Sequence, residues 1–429
     1  MNDVIVPSVI EGYTLEKQIG VGTTSVVWLS THIKTNMQVA IKIIPKVRIN
    51  DTRCIARFSR EVNLLKSMDH PLIAQLFQIF EDENNHYFVL EFAEGGNLVS
   101  MIEENGNLVE SVAKQIFIQL ISVLEYMHSV KNVAHRDIKA ENILLDKHRH
   151  LRLIDFGFSR SFTWEDPTLI TACGSPGYIP PEMIKKQGYT VSADIWSAGV
   201  LLYTMVVGHL PFEGDTVIQI LQKIAYNEPN IPRFLSPNIQ DLLKRMLCKD
   251  PLQRITIRGI KEHPWFSEPI YNELLEMIPS SLTVREDEDR FPYEFDEEIG
   301  TELHKLGIDT SNIEFNLNNR IYDETTASYL ILFKNKLSKE MAPLFSLPPS
   351  MRDKDEKRKS PIPITNIEHH PTSPKQTRNR SNTLEGNFST STELKQTSSR
   401  KPSPTHSPPL IAPKIPKRVS SSYVTSGFE

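Results

Sequence analysis

The chain has 429 residues, a formal net charge of −5, 39% hydrophobic and 24% charged residues, a balance that fits a globular protein of two or three domains and gives no sign of charge-driven binding to nucleic acid. Its three cysteines, Cys54, Cys173 and Cys248, lie far apart and match no zinc spacing, so a reduced cytoplasmic setting is expected rather than a disulfide framework. Residues 1–7 hold no basic stretch followed by an apolar run, and the longest apolar run, near 195–207, is broken by Ser197 and Thr204, so neither a secretory leader nor a transmembrane segment is expected.

Residues 13–44 are rich in β-branched side chains and end in Val39-Ala40-Ile41-Lys42-Ile43-Ile44, which reads as a strand. Gly20 and Gly22 fall between strand-like segments; such glycines let a backbone approach phosphates and present N–H groups to them, and a glycine pair alone also fits a hairpin turn. Lys42 stands inside an apolar strand, where a charge is costly unless paired. Ile55, Phe58, Val62 and Leu65 then recur at helical spacing. Two short strands are predicted around 74–80 and 86–92, the second ending at a Glu-Gly-Gly break. Beyond Gly95-Gly96 the text turns helical, and Ala113, Ile116, Phe117, Leu120, Ile121 and Leu124 form one apolar stripe. A strand-rich part followed by a helix-rich part predicts an α+β chain of two lobes with a cleft between them.

The densest chemistry lies in 135–157, which holds His135-Arg136-Asp137-Ile138-Lys139-Ala140-Glu141-Asn142 and then Asp155-Phe156-Gly157. Phosphoryl transfer to a hydroxyl needs a carboxylate to accept the proton, a cation over the moving group and oxygen ligands for magnesium, and this segment offers all of them.

These segments resemble the glycine-rich, catalytic and metal-binding loops of the eukaryotic protein kinases, and the resemblance runs over 13–266, closing with His263-Pro264-Trp265-Phe266. It implies a bilobal protein-kinase fold with a small β-rich N-lobe and a large α-helical C-lobe, working with ATP and Mg2+. Gly20 and Gly22 would lie over the phosphates, with Val27 and Ala40 against the adenine. Lys42 would hold the α- and β-phosphates, paired with Glu61. Glu91 and Ala93 match the hinge that binds adenine through its backbone, with Leu90 as gatekeeper. Asp137 matches the catalytic base, Lys139 the cation on the transferring group, and Asn142 and Asp155 the magnesium ligands. His135, Phe156 and Leu65 match an apolar spine, Ser175 the hydroxyl bridging base and lysine, Glu182 and Arg254 a structural ion pair, and Asp194 the support of the catalytic loop. Lys139 with Glu141 resembles the serine/threonine rather than the tyrosine kinases. Three positions depart from the pattern: Ser25 replaces a third glycine, Asn97 a ribose-facing glutamate, and Pro180 the alanine of Ala-Pro-Glu. The alternative, a pseudokinase or allosteric scaffold, normally accompanies loss of the equivalents of Lys42, Asp137 or Asp155, and none is lost.

Thr171 occupies the activation-loop phosphorylation position, and Arg136 beside the base implies that a phosphate there, added by an upstream activating kinase, orders the loop. The loop text is most similar to the calcium/calmodulin-dependent group, in the AMP-activated and microtubule-affinity-regulating branch. After a linker at 267–290, residues 291–337 resemble the small helical ubiquitin-associated-like domain of that branch, through Leu303, Leu306, Gly307, Ile308, Ile313, Leu317, Tyr322 and the run from Ala327 to Leu332. The remainder, 338–429, reads as a disordered Ser/Thr/Pro-rich basic tail; residues 350–429 hold fourteen Lys/Arg against seven Asp/Glu and few large apolar residues. Its serines following basic residues, Ser381 and Ser420, would suit a phosphoserine-binding adaptor. The partners expected are therefore proteins with Ser/Thr acceptors, an upstream kinase and such an adaptor, with no nucleic acid.

Overall fold

A computed structural model of the chain describes residues 8–22, 25–49, 52–162, 169, 174–266, 268–277 and 295–345, all within one compact unit. Thr171 and residues beyond 345 lie outside the described residues. Residues 338–345, assigned above to the start of the disordered tail, are instead the end of a helix and a following helical turn, held by burial of Ser338, Met341 and Phe345.

Strands β1 (Val9–Ile10), β2 (Tyr13–Val21), β3 (Val26–His32), β4 (Met37–Pro45), β5 (Leu76–Glu81) and β6 (Asn85–Glu91) form one antiparallel sheet. The order across it is β1-β2-β3-β4-β6-β5. The period of two along β4 separates two functions. Val39, Ile41 and Ile43 belong to the apolar core under one face, while Ala40 and Ile44 belong to clusters on the other. Lys42 shares the second face. Helix α1 (Thr52–Ser67) lies there too, its Phe58, Val62 and Leu65 packed on Ile44, Leu76 and Phe88.

The larger lobe is helical. Its centre is formed by α3 (Glu110–Glu125) and α5 (Ser192–Val207), the latter buried from Ala193 to Val206, as a helix apolar on all sides must be. Around them stand α2 (Leu98–Asn105), α4 (Pro181–Ile184), α6 (Val217–Tyr226), α7 (Pro237–Met246) and α8 (Ile257–Lys261). Asn97 caps α2, its side chain accepting from the Ser100 N–H at 2.7 Å; its role is that of a helix cap. Two small ribbons carry the loops of the cleft: β7 (Val133–Ala134) with β10 (Arg160–Ser161), and β8 (Ile143–Leu145) with β9 (Leu151–Leu153).

Within the stretch read as a linker, residues of α9 (Glu268–Met277) bury Tyr271 and Leu274 in the large-lobe core. The helical segment that follows comprises α10 (Glu297–Lys305), α11 (Ile313–Asn318) and α12 (Glu324–Met341). Asp296 caps α10 by accepting from Glu298 N and Ile299 N at 3.0 and 3.2 Å, and Asp323 caps α12 by accepting from Thr326 N at 2.8 Å. Gly307, at φ +73°, follows α10, where a left-handed residue ends a helix at least cost. Ile299, Leu303, Ile308, Ile313 and Tyr329 share a core with Tyr13, Val39, Ile41 and Val89 of the sheet. Farther along, Leu337 and Met341 of α12 join the core of the large lobe. One helix thus touches both lobes.

Candidate active site

The cleft between the lobes gathers most of the residues singled out from the sequence. On its upper wall Ile19, Leu29 and Ala40 are buried against Val27, Leu90 and Phe92, an apolar patch suited to a flat heteroaromatic ring. Gly20 sits in β2 opposite Val27, and the Gly22 N–H donates to Ser25 O at 2.8 Å to close the turn. Ser25 is buried in that turn, which accounts for a small residue where a third glycine was expected. Lys42 Nζ stands 2.7 Å from Glu61 Oε1. The packing of α1 on Ile44 and Phe88 holds the two elements that carry this pair together.

The lower wall is the segment after β7. The Asp137 carboxylate is nearly saturated: Oδ1 accepts from Ser175 N at 3.0 Å and Ser175 Oγ at 3.1 Å, while Oδ2 lies 2.9 Å from Lys139 Nζ and 3.1 Å from Asn142 Nδ2. Lys139 Nζ also donates to Ser175 Oγ at 2.8 Å. Base candidate, cation and hydroxyl therefore form one hydrogen-bonded group. Gly174, at φ +102°, makes this approach feasible, because a Cβ there would stand 2.8 Å from Arg136 O.

Asp194, wholly buried on α5, supports this loop from beneath. Its carboxylate accepts the N–H groups of His135 at 2.9 Å and Arg136 at 2.7 Å and lies 2.8 Å from His128 Nε2. Burial alone would raise its pKa, but the bond to His128, aided by the Arg136 N–H, outweighs that and holds it below the usual carboxylate range. His135 packs edge-on against Phe156 with ring centroids 5.4 Å apart, and burial pushes its pKa down. Its contact is that of a packing residue, the role the resemblance implied. Leu65 packs against the same core as Phe156.

Asp155 has φ +64°, a left-handed conformation rare outside glycine, and its Oδ1 accepts the Gly157 N–H at 3.0 Å. Burial works to raise its pKa; Lys42 and the Gly157 N–H more than offset this, and the carboxylate stays ionised below its ordinary range. The Ile154 N–H donates to Asn142 O at 3.0 Å, so Asn142 and Asp155 are brought side by side. Asn142 Oδ1 is buried without a hydrogen-bond partner. A buried acceptor in that state, next to an ionised carboxylate, fits a magnesium ion that takes only a few protein oxygens and completes its shell with phosphate and water.

Other placements were not visible in the sequence. Arg136, at φ +69°, donates from Nε to Phe158 O at 2.6 Å and from Nη1 to Tyr189 Oη at 2.8 Å, so part of its hydrogen-bonding capacity is met inside the protein. The Glu91 side chain turns to the back of the cleft, where Arg152 Nε lies 2.5 Å and Lys334 Nζ 3.1 Å from it. Ala93, beside it, is buried. Arg152 inside the apolar strand β9 was the one sequence signal for this arrangement, since a charge so placed demands partners.

Comparison with known proteins follows the same line. The family described as protein kinase domain matches residues 13–266. The chain is 35% identical over 331 residues to the SNF1-related protein kinase catalytic subunit alpha KIN12 of Arabidopsis thaliana, covering 77% of this chain and 65% of that protein. It is 36% identical over 342 residues to the serine/threonine-protein kinase SIK2 of Gallus gallus, covering 79% of this chain and 42% of that one. It is 38% identical over 261 residues to the CBL-interacting protein kinase 11 of Oryza sativa subsp. japonica, covering 60% and 52%. The chain thus spans less than two thirds of the length of these relatives.

Proposed function

Because the chain belongs to the protein kinase domain family, we propose that it transfers the γ-phosphoryl group of ATP to serine or threonine hydroxyls of protein substrates. The observation that carries this reading is the group formed by Asp137, Lys139 and Ser175, with the buried Asn142 Oδ1 left without a hydrogen-bond partner beside it. Family members work with ATP and Mg2+, which supply the phosphoryl donor and charge neutralisation between its phosphates. The chain's own residues do the rest. Asp137 orients the acceptor hydroxyl and takes its proton; Lys139 stabilises charge on the transferring oxygens; Ser175 keeps the two in register. Lys42, fixed by Glu61, would hold the α- and β-phosphates, Asn142 and Asp155 would hold the metal, and the Gly20–Gly22 turn would cover the phosphates. The apolar patch of Val27 and Ala40, with the Glu91 and Ala93 backbone, receives the adenine.

Lys139 with Glu141 favours serine and threonine acceptors. Thr171 receives an activating phosphate from an upstream kinase, with Arg136 as its receptor; residues 291–337 form a ubiquitin-associated-like domain after the catalytic domain of 13–266; and a phosphoserine-binding adaptor acts at the tail. Among the described residues no helix is long and apolar enough to cross a membrane, and a cytoplasmic site of action is part of the proposal.

The test is transfer of labelled γ-phosphate to a mixture of serine, threonine and tyrosine peptides. Label on serine and threonine that disappears with EDTA is expected, at roughly 1–100 turnovers per second for the activated protein. Tight MgATP binding without any transfer would favour the scaffold reading instead. In the same assay Thr171→Ala, purified from its own cells, is expected to lose most activity; full activity would remove Thr171 from the mechanism.

A further inference from the structure

The back of the cleft holds a chain of charges, buried at Lys334, Arg152 and Asp146 and nearly so at Glu91, that the proposed catalytic steps do not use. Lys334, on α12, is 5% exposed. Its Nζ donates to the carbonyls of Pro71 at 2.9 Å, Ile73 at 3.1 Å and His70 at 3.3 Å, and lies 3.1 Å from Glu91 Oε2. Glu91 Oε2 also accepts the Gln75 N–H at 3.2 Å, and Arg152 Nε meets Oε1 at 2.5 Å. Arg152 Nη2 continues to Asp146 Oδ2 at 3.0 Å, which accepts from Ser338 Oγ at 2.6 Å, one turn along α12. A single carboxylate thus receives one partner from each part of the molecule: the loop before β5, β9 of the large lobe, and α12.

Removing a lysine from water is costly, and four oxygens around one ammonium make that cost tolerable only while α12 is docked. The docked helix therefore fixes Glu91, and Glu91 is the last residue of β6, immediately before the segment that receives adenine in the reading above. From this geometry we infer that Lys334 is a positioning residue for the nucleotide site: α12 sets the backbone of residues 91–93 through the Lys334–Glu91 pair. The inference rests on the proposed ATP site. It differs from a docking role alone, because it links a helix outside residues 13–266 to nucleotide affinity rather than only to stability.

The linkage is reciprocal: whatever α12 docking contributes to nucleotide binding, the nucleotide returns to α12 docking. In the full chain, Lys334→Met is expected to raise the Kd and KM for MgATP roughly tenfold, while kcat at saturating ATP changes less than about threefold. Lys334→Gln keeps donors for the carbonyls of residues 70–73 but removes the charge, and should show the same split. Equal MgATP affinity in a folded variant, or a fall in kcat with KM unchanged, would overturn the inference. A second measurement needs no variant. Hydrogen exchange on the unmodified chain should slow over 324–341 when a non-hydrolysable ATP analogue with Mg2+ binds, and unchanged exchange there under saturation would also overturn it. If the unmodified chain bound no MgATP at all, the nucleotide site itself would fall, an outcome distinct from the other two.

Discussion

Replacing Asp137 by alanine is expected to lower kcat by about 10²- to 10⁴-fold, the contribution typical of a positioned general base, with MgATP affinity changed little. The separation follows from where its contacts lie. Both Asp137 oxygens are engaged with Ser175, Lys139 and Asn142; of these only Asn142 is assigned to the MgATP site, and it meets Asp137 through Nδ2 rather than through the Oδ1 assigned to the metal. Loss of the carboxylate removes an interaction made with the acceptor hydroxyl during transfer, so kcat and kcat/KM should fall together. Asp137→Asn is the sharper variant, because it keeps the shape of the side chain and can still accept from Ser175 while removing the base. Single-turnover transfer with labelled ATP, compared with nucleotide binding on the same preparations, separates the two quantities. An alanine variant with more than a tenth of normal turnover would mean that Asp137 is not the base.

What could be read in the sequence is what is local or periodic. The strand of residues 39–44 and the need of Lys42 for a partner were legible; the structure adds that Lys42 lies on the face opposite Val39, Ile41 and Ile43. The dense loop 135–142 and the Asp155-Phe156-Gly157 turn lie close in sequence and are joined by a short ribbon, so their meeting was legible. Glu182 and Arg254 form the pair that the resemblance implied. Less legible were features decided by distant packing. The capping role of Asn97 depends on where α2 begins. The helix α9, inside a proline- and acid-containing stretch, was read as linker although Ile270, Tyr271 and Leu274 recur at helical spacing; burial of Tyr271 and Leu274 in the large lobe holds it. The Lys334–Glu91 pair joins residues far apart in the chain. Arg136 shows the same limit, since its bonds to Phe158 O and Tyr189 Oη are fixed by tertiary approach alone. Buried charges announce that they need partners; they do not announce which ones.

The Glu182–Arg254 pair carries the largest expected effect on stability. Both side chains are buried, at 1% and 0% exposure, and their contact is bidentate, with Arg254 Nη1 to Glu182 Oε1 at 2.7 Å and Nη2 to Oε2 at 2.9 Å. Arg254 also donates to the carbonyls of Ser192 at 2.9 Å and Cys248 at 3.0 Å and lies 5.2 Å from the ring centroid of Trp196. The guanidinium is therefore fixed on every side and cannot swing out to water when its partner is lost. Glu182→Ala should cost about 3–5 kcal/mol in denaturant unfolding, chiefly as the penalty for a buried charge left without its counter-ion. Replacing both residues, Glu182→Leu with Arg254→Met, should be less harmful than Glu182→Ala alone, because no charge then remains to be buried. A consequence for activity follows from position. Glu182 lies in α4, which directly follows the segment carrying Ser175. Loosening α4 should therefore free Ser175 from Asp137 and lower kcat in the part of the Glu182→Ala population that stays folded, with KM for ATP unchanged. A cost below about 1 kcal/mol, the range of solvent-exposed pairs, would show that water reaches Arg254 once Glu182 is gone.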